Sequence, residues 1–122
     1  MSDDPRHTLG RTGEDAAAAH LERRGFDVVE RNHRTRWGEL DLIAFDGVTL
    51  VFAEVKTRRA GPGRPFDAIH EAKQRQVRRV SAAWLASHPS HPRADHLRFD
   101  AIGVSVDPRG RVIALEHLEG AF

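Results

Sequence analysis

Two short stretches of the chain place carboxylates and a lysine in sequence that otherwise alternates between apolar and polar residues. Residues 38–43 read Gly-Glu-Leu-Asp-Leu-Ile, and residues 52–56 read Phe-Ala-Glu-Val-Lys. Such alternation is typical of a β-strand, where a carboxylate is costly unless it binds a metal or a cationic partner. Asp41, Glu54 and Lys56 therefore form a candidate set for a divalent-metal phosphodiesterase site. Oxygen ligands suit Mg²⁺ or Mn²⁺, and a lysine can hold a water or share developing charge.

The Asp46-Gly47 dipeptide is a strong signal for a two-residue hairpin turn between these stretches. With that turn, Glu39 lies opposite Glu54, and Asp41 becomes a diagonal neighbour of Glu54 at a Cβ distance of roughly 7 Å. All the charged residues of the two stretches then share one face of the hairpin, because side chains alternate along a strand. A three-residue turn would instead slip the register by one and move Glu54 to the opposite face.

The same charges have a plainer explanation, which the residues alone leave open. Asp41 and Glu54 can pair with Lys56 as a cross-strand salt bridge in an ordinary β-hairpin. Glu39, adjacent on the same face, is interpreted as orienting the site or facing solvent rather than as a metal ligand.

The remaining pattern predicts an α/β fold with the element order α-β-β-β-α-β-β, a mixed β-sheet flanked by helices. The predicted elements are a helix at residues 12–24, strands at 26–31, 38–45 and 49–57, a helix at 66–87, and strands at 97–106 and 112–118. Thr12 is the expected N-cap of the first helix, with Thr8 as an alternative start, and Gly25 is expected just after its end. A basic loop is expected at 58–65, and a β-bulge near Gly103.

Length and composition restrict the class of protein. The 122 residues are enough for one domain with one core but too few for two, and residues 1–7 are expected to be disordered. No stretch is as long and apolar as a membrane span, and the N-terminus lacks the pattern of a signal peptide. There are no cysteines, which excludes disulfides and cysteine-ligated metals. These features predict a cytoplasmic protein that has no membrane partner.

The formal net charge of +1 conceals a concentration of basic residues around the acidic stretches. Those predicted to contact nucleic acid are Arg34 and Arg36 before the first stretch, Arg58 and Arg59 after the second, and Lys73 on the long helix. Basic groups that flank an acidic centre suit a polyanion whose scissile phosphate sits on metal. Lys73 falls within the apolar stripe of its helix, so it either reaches toward the sheet or extends past it into solvent.

The chain resembles the YraN family of small bacterial proteins over nearly everything from Gly13 to Phe122. The motifs that carry the resemblance, in chain order, are Gly13-Glu14, Arg31-Asn32, the two stretches at 38–43 and 52–56, Arg98-Phe99-Asp100, and the terminal Ala121-Phe122. A lone E-x-K is a weak signal, whereas this ordered series of motifs is specific. The resemblance implies the fold of restriction endonucleases and Holliday-junction resolvases, the PD-(D/E)xK superfamily.

The resemblance also implies a nuclease site within a single domain that spans residues 1–122. Asp41 and Glu54 match the two acids of the superfamily, and Lys56 matches its lysine. Glu14 matches the helix glutamate of resolvase-type sites and could join Asp41 and Glu54 at the metal, either directly or through water. Leu40 stands where the superfamily usually has a proline. The implied activity is Mg²⁺- or Mn²⁺-dependent endonuclease cleavage of DNA, including branched DNA, by a protein that can form a homodimer.

Several alternatives stay open beside the DNA endonuclease. One is a non-catalytic adaptor of the same fold that binds nucleic acid in DNA repair or uptake. Another is action on RNA, because phosphate chemistry does not specify the sugar. Glu14 alone can be explained as an acid in the first turn of a helix. Arg98 and Asp100 are expected to form an ion pair, and Gln76 to lie on a solvated helix face.

Overall fold

The computed structural model describes residues 5–61 and 71–121 and confirms the predicted α/β fold and element order. The helices are α1 (Pro5–Arg23) and α2 (Glu71–Ser87), and the strands are β1 (Asp27–Thr35), β2 (Gly38–Phe45), β3 (Thr49–Arg59), β4 (His96–Val106) and β5 (Val112–Leu118). All five strands form one mixed sheet in the order β1-β2-β3-β4-β5. Only β3 and β4 are parallel, and α2 lies in the long crossover connection that a parallel pair requires.

The two faces of the sheet bury separate hydrophobic clusters, because side chains alternate along each strand. The face that packs on α1 buries Ala17, Leu21, Leu42, Val51, Ala53, Ile102 and Val104. The opposite face packs on α2 and buries Ile43, Leu50, Phe52, Val77, Val80 and Trp84. The predicted apolar stripe of α2 is confirmed at Val77, Val80 and Trp84. The central strands β2 and β3 are therefore held between two layers of helix.

The C-terminal end of α1 follows the predicted capping pattern, but its start does not. Gly25 has a φ of 91°, and the N–H groups of Gly25 and Phe26 donate to the carbonyls of Glu22 and Leu21, each at 3.0 Å. This is a Schellman cap with glycine at C′. The prediction that Thr12 is the N-cap is wrong, because α1 begins at Pro5 and the Thr12 hydroxyl donates to the Thr8 carbonyl at 2.9 Å from within the helix.

Some element boundaries also differ from the prediction. The prediction that residues 1–7 are disordered is wrong for residues 5–7, because these belong to α1. Residues 1–4 lie outside the described residues. β1 and β3 extend beyond their predicted ends, so Arg58 and Arg59 belong to β3 rather than to a loop. Residues 62–70, which include the rest of that loop and the predicted start of α2, are also outside the described part. The bulge expected near Gly103 lies between Ser105 and Val106.

The register of the β2–β3 hairpin differs from the prediction by two residues. Phe45 pairs with Leu50, and the Asp46 N–H donates to the Thr49 carbonyl at 3.3 Å, so the turn residues are Gly47 and Val48. The Asp46 side chain explains the shift: its Oδ1 accepts from the N–H groups of Val48 and Thr49 at 2.9 and 2.7 Å. Because the shift is even, Glu54 and Lys56 keep their predicted face. The shift also brings position 41 level with position 54 instead of diagonal to it. In β2 the alternation breaks beside Asp41, since Leu40 and Ile43 pack in the cluster with α2 whereas Leu42 packs in the cluster with α1.

Helix α1 approaches β3 very closely at Gly13. A Cβ atom at Gly13 would lie 1.6 Å from Thr57 Oγ1 and 2.7 Å from Thr57 Cβ. Thr57 is β-branched and lies within β3, so it has little freedom to move aside. The glycine of the Gly13-Glu14 motif therefore sets how deeply α1 packs on the sheet, and with it the position of Glu14.

We expect Gly13→Ala to lower the free energy of unfolding by about 1–3 kcal/mol, because the added methyl group overpacks the contact with Thr57. Gly10→Ala is the matched control in the same helix, since a Cβ there would have no atom within 4 Å. Its effect should be neutral or stabilising by up to about 1 kcal/mol, through helix propensity alone. Urea unfolding followed by circular dichroism measures both, and equal effects would contradict the proposed contact.

Candidate active site

The candidate site begins where β2 and β3 stop pairing. Regular pairing of the two strands runs from Phe45–Leu50 to Leu42–Ala53. At the next position a side chain replaces a backbone carbonyl as the hydrogen-bond acceptor. Asp41 Oδ2 accepts from the Val55 N–H at 2.7 Å. The carboxylate of Asp41 is thereby inserted beside the backbone of β3 and held in one orientation.

Asp41 and Glu54 form a buried pair of carboxylates at this point. Their residues are only 8% and 6% exposed. Burial, the neighbouring Glu54 carboxylate and Glu39 together raise the pKa of Asp41 to about 8, although the hydrogen bond from the Val55 N–H opposes this rise. Burial also raises the pKa of Glu54, against the opposing effects of Lys73 and Lys56. The pair therefore favours the binding of a proton or another cation at neutral pH.

Lys73 supplies a cation to this pair from the other layer of the fold. Its Nζ lies 3.1 Å from Glu54 Oε1. Lys73 is one turn before Val77 on the buried stripe of α2, so the predicted reach toward the sheet is confirmed. Glu54 Oε2, in contrast, is buried and has no hydrogen-bond partner in the described part of the chain. One oxygen of Glu54 is thus neutralised and the other remains available to a ligand.

Lys56 follows Glu54 by two residues in β3, and the two side chains therefore point to the same face. Lys56 is half-buried and its charge lowers the pKa of Glu54. It pairs in register with Gly103 of β4, which has no side chain beyond its backbone. Lys56 therefore adds positive charge to the face on which Glu54 lies.

Glu14 lies beside the pair, on α1. Burial raises the pKa of Glu14, while a hydrogen bond from Asn32 and the charge of Arg31 oppose that rise. Glu14 Oε1 is buried, accepts no hydrogen bond from a described residue, and lies 4.0 Å from Arg31 Nη2. Glu39 links the two acidic centres, since its charge raises the pKa values of both Glu14 and Asp41. The four carboxylates thus form one electrostatic group.

The described carboxylates do not form a closed metal cage. Among residues 5–61 and 71–121, no group of three or more histidine, aspartate and glutamate side chains is arranged to hold a metal ion. The centre is instead a tight pair, Asp41 and Glu54, with Glu39 and Glu14 around it. Ligation by Glu14, which was expected either directly or through water, therefore requires a movement of its side chain or a bridging water.

The basic residues predicted to contact nucleic acid occupy different surroundings. Arg34 Nε lies 2.7 Å from Glu39 Oε2, and the Arg36 guanidinium stacks on the Trp37 ring at 4.4 Å. Arg58 and Arg59 end β3, on the same strand as Glu54 and Lys56, and Arg58 donates to the Gly61 carbonyl. Arg34 and Lys73 therefore each pair with one carboxylate of the acidic group.

Two residues near the site have roles that sequence reasoning missed. Asn32 adopts a left-handed backbone conformation, with φ of 55°, and hydrogen-bonds Glu14. The Arg31-Asn32 motif was a signal for this residue but gave no indication of its conformation or of its bond to Glu14. Gln76 donates to the Trp37 carbonyl at 2.6 Å, so it anchors the β1–β2 turn instead of lying in solvent.

Arg98 and Asp100 form the predicted ion pair. Arg98 Nε and Nη2 donate to the two oxygens of Asp100, each at 2.9 Å. Asp100 is fully buried and also accepts from His117 Nε2 at 2.6 Å and from the Gly120 N–H at 3.0 Å. These contacts fasten the C-terminal segment to β4, away from the carboxylate pair, which accounts for this motif without chemistry.

The comparisons with known proteins agree with the predicted family. Residues 13–104 match the model of the Uncharacterised protein family UPF0102, the YraN-like family, and the chain belongs to it. It is 47% identical over 113 residues to a UPF0102 protein of Renibacterium salmoninarum, covering 92% of this chain and 93% of that protein. It is 47% identical to one from Frankia alni over 115 residues, with 93% of each chain covered. The relative from Chlorobium chlorochromatii is 44% identical over 119 residues, covering 93% of this chain and 90% of that protein.

We expect the metal-free protein to lose stability as the pH rises, because the native state holds a proton that the unfolded state releases. An unfolded aspartate titrates at 3.8 and native Asp41 at a pKa of about 8, so between these values the native state binds more protons. Asp41→Asn should remove most of this pH dependence and stabilise the protein at alkaline pH by a few kcal/mol, since each pKa unit corresponds to about 1.4 kcal/mol.

Urea unfolding in EDTA, at several pH values between about 5 and 9, measures this dependence. Asp27→Asn is the control, because Asp27 is exposed at the start of β1. A stability that rises with pH across this window, or that changes equally in both variants, would exclude a protonated Asp41–Glu54 pair.

Proposed function

We propose that this protein is a metal-dependent endonuclease that hydrolyses phosphodiesters of DNA. The observation that carries the proposal is the buried pair Asp41 and Glu54 with two lysines, Lys56 and Lys73, directed at it from a strand and a helix. Two like charges kept out of water lower stability, and such pairs are concentrated at functional sites. The resemblance of the motifs to PD-(D/E)xK nucleases supports the same chemistry.

The residues of the pair fit a hard divalent cation. Their donors are all carboxylate oxygens, which Mg²⁺ and Mn²⁺ prefer, and Glu54 Oε2 is buried without a hydrogen-bond partner among the described residues. Asp41 and Glu54 would hold the ion, with Glu14 and Glu39 close enough to add charge or to bind its waters. A bound ion of this kind lowers the pKa of water and neutralises charge on a phosphate.

The other residues of the site have separate roles in this proposal. The Val55 N–H orients Asp41, and Lys73 opposes the rise in the pKa of Glu54 that burial causes. Lys56, on the same face of β3 as Glu54, can approach a phosphate oxygen or the attacking water. Arg34, Arg36, Arg58 and Arg59 are proposed to contact the nucleic-acid backbone, which binds cations without regard to sequence.

The same arrangement also supports a second function, a non-catalytic nucleic-acid adaptor. The favouring observation is that Lys73 already neutralises one oxygen of Glu54, while the described residues form no three-ligand metal group. In that case the carboxylates and lysines would serve the fold alone. A cleavage assay that includes metal binding separates the two functions.

We expect Mn²⁺-dependent cleavage of at least one DNA among single-stranded, duplex, flapped and four-way-junction substrates. Glu54→Gln should weaken Mn²⁺ binding, measured by calorimetry, and lower the cleavage rate by about 100-fold or more. Lys56→Met should lower the rate to a similar extent but leave Mn²⁺ binding close to that of the wild type. RNA versions of the same substrates test which sugar is accepted.

Asp27→Asn serves again as the matched control and should cleave like the wild type. If the wild-type protein binds these substrates and never cuts any of them, the adaptor function is supported and the endonuclease is excluded. Cleavage that survives both substitutions would place the active site elsewhere.

Lys73 allows a separate test of how the pair binds metal. Lys73→Met should bind Mn²⁺ several-fold more tightly than the wild type, because the ammonium no longer competes with the ion for Glu54. It should also lower the thermal stability of the metal-free protein at neutral pH, because Glu54 loses its ion pair. Lys73→Arg, which keeps the charge, is the control. Weaker Mn²⁺ binding in Lys73→Met would mean that Lys73 positions Glu54 for the ion instead of competing with it.

A further inference from the structure

The two edges of the sheet differ sharply in chemistry. At the β1 edge, charged residues recur along the strand, the register shifts between Val28 and Glu30, and Asn32 breaks the extended backbone with a φ of 55°. Charges and bulges of this kind prevent an edge strand from pairing with another chain. The β1 edge is therefore protected against association.

The β5 edge lacks this protection. Its apolar side chains Val112, Ile113 and Leu118 are 42%, 56% and 44% exposed, and the strand contains no lysine, arginine or proline. β5 pairs with β4 on one side only, so in the described residues its outer N–H and C=O groups face no other strand. An exposed apolar edge with unpaired backbone groups is a template for another strand.

The charges at the two ends of β5 indicate which kind of strand can pair with its edge. Arg109 and Arg111 precede the strand, whereas Glu116 lies near its end and Glu119 just beyond it. When two copies of β5 pair antiparallel about a two-fold axis, the basic end of each lies against the acidic end of the other. Glu119 is 45% exposed at its side chain although it also contacts Arg24 and Arg98, so it remains accessible to a partner.

We propose that two copies of this chain associate through their β5 edges and form one continuous ten-stranded sheet. Pairing of the edges gives the outer backbone groups hydrogen-bond partners and removes Val112, Ile113 and Leu118 from water. A two-fold axis perpendicular to the sheet keeps both α2 layers on the same face.

The arrangement of the two sites in such a dimer rests on the proposed endonuclease function. Each β3 is the third strand from the paired edge, so five strand spacings of about 4.8 Å separate the two β3 strands, or about 24 Å in all. Both Asp41–Glu54 pairs then open on one face of one rigid sheet. This arrangement suits a nucleic acid with two backbones, such as a duplex or a branched junction, and cleavage of both strands.

Sedimentation velocity of the full chain across the micromolar range tests the interface. The wild type should sediment as a dimer, and Ile113→Lys should shift it to a monomer, because two buried ammonium groups would face an apolar strand. Val29→Lys is the matched control, since Val29 is 41% exposed on the opposite edge, and it should leave the dimer intact. A monomeric wild type, or a dimer that Ile113→Lys leaves unchanged, would overturn the proposal.

Cysteine cross-linking gives an independent test, because the chain has no cysteine of its own. Ala114→Cys should be cross-linked into a dimer by a short bismaleimide, whereas Glu22→Cys, exposed on α1, should not. Equal cross-linking of the two variants would also overturn the interface. Mn²⁺ binding and the far-ultraviolet circular dichroism spectrum of Ile113→Lys should match the wild type, so a failed interface and a failed metal site give different results.

Discussion

Burial of two carboxylates side by side is the constraint to which the other parts of this structure respond. Asp41 and Glu54 lie where β2 and β3 separate, with little access to water. Removing a carboxylate from water costs several kcal/mol unless nearby groups compensate. Here the Val55 N–H and the Lys73 ammonium offset part of that cost, and a raised pKa offsets another part by keeping one proton on the pair. What remains is a site with an unsatisfied oxygen and a preference for a cation.

The site is rigid because each of its side chains comes from a regular element. Asp41 and Glu54 project from central strands that have a hydrophobic cluster on each face. Lys73 continues the stripe of α2 that packs on Ile43 and Phe52, and the close approach of Gly13 to Thr57 holds Glu14 at the other layer. Groups placed on packed strands and helices keep their relative positions better than groups on loops, which metal binding requires.

The net charge of this protein is close to zero, so the site would attract a phosphate only over a short distance. The acidic group at Asp41 and Glu54 has cations near it from two strands and one helix, namely Arg34 of β1, Lys56 of β3 and Lys73 of α2. In the proposed function, a phosphate backbone would meet positive charge first and the carboxylates only at the centre. Summed over the molecule these charges nearly cancel, which leaves little long-range attraction for nucleic acid. In the proposed function, binding of a large substrate would then depend on contact area, which the proposed dimer would double.

Much of the fold could be predicted because it follows from local patterns. The alternation in residues 38–43 and 52–56 determines that they are strands, and in β3 it determines that Glu54 and Lys56 share a face. Gly25 determines the end of α1, since a left-handed cap needs a residue without a Cβ atom. The motif series also identified the family, because several short motifs in a set order are far more specific than any one of them.

Only the tertiary structure decided how these parts meet. The hairpin register depended on the Asp46 side chain, whose hydrogen bonds to Val48 and Thr49 select one turn among several compatible with Asp46-Gly47. The sequence by itself determined that Lys73 lies on an apolar stripe, but its ion pair with Glu54 depends on the packing of α2 over β3. Spacing along a chain specifies faces and ends of elements, whereas distances between elements depend on the packing of side chains far apart in sequence.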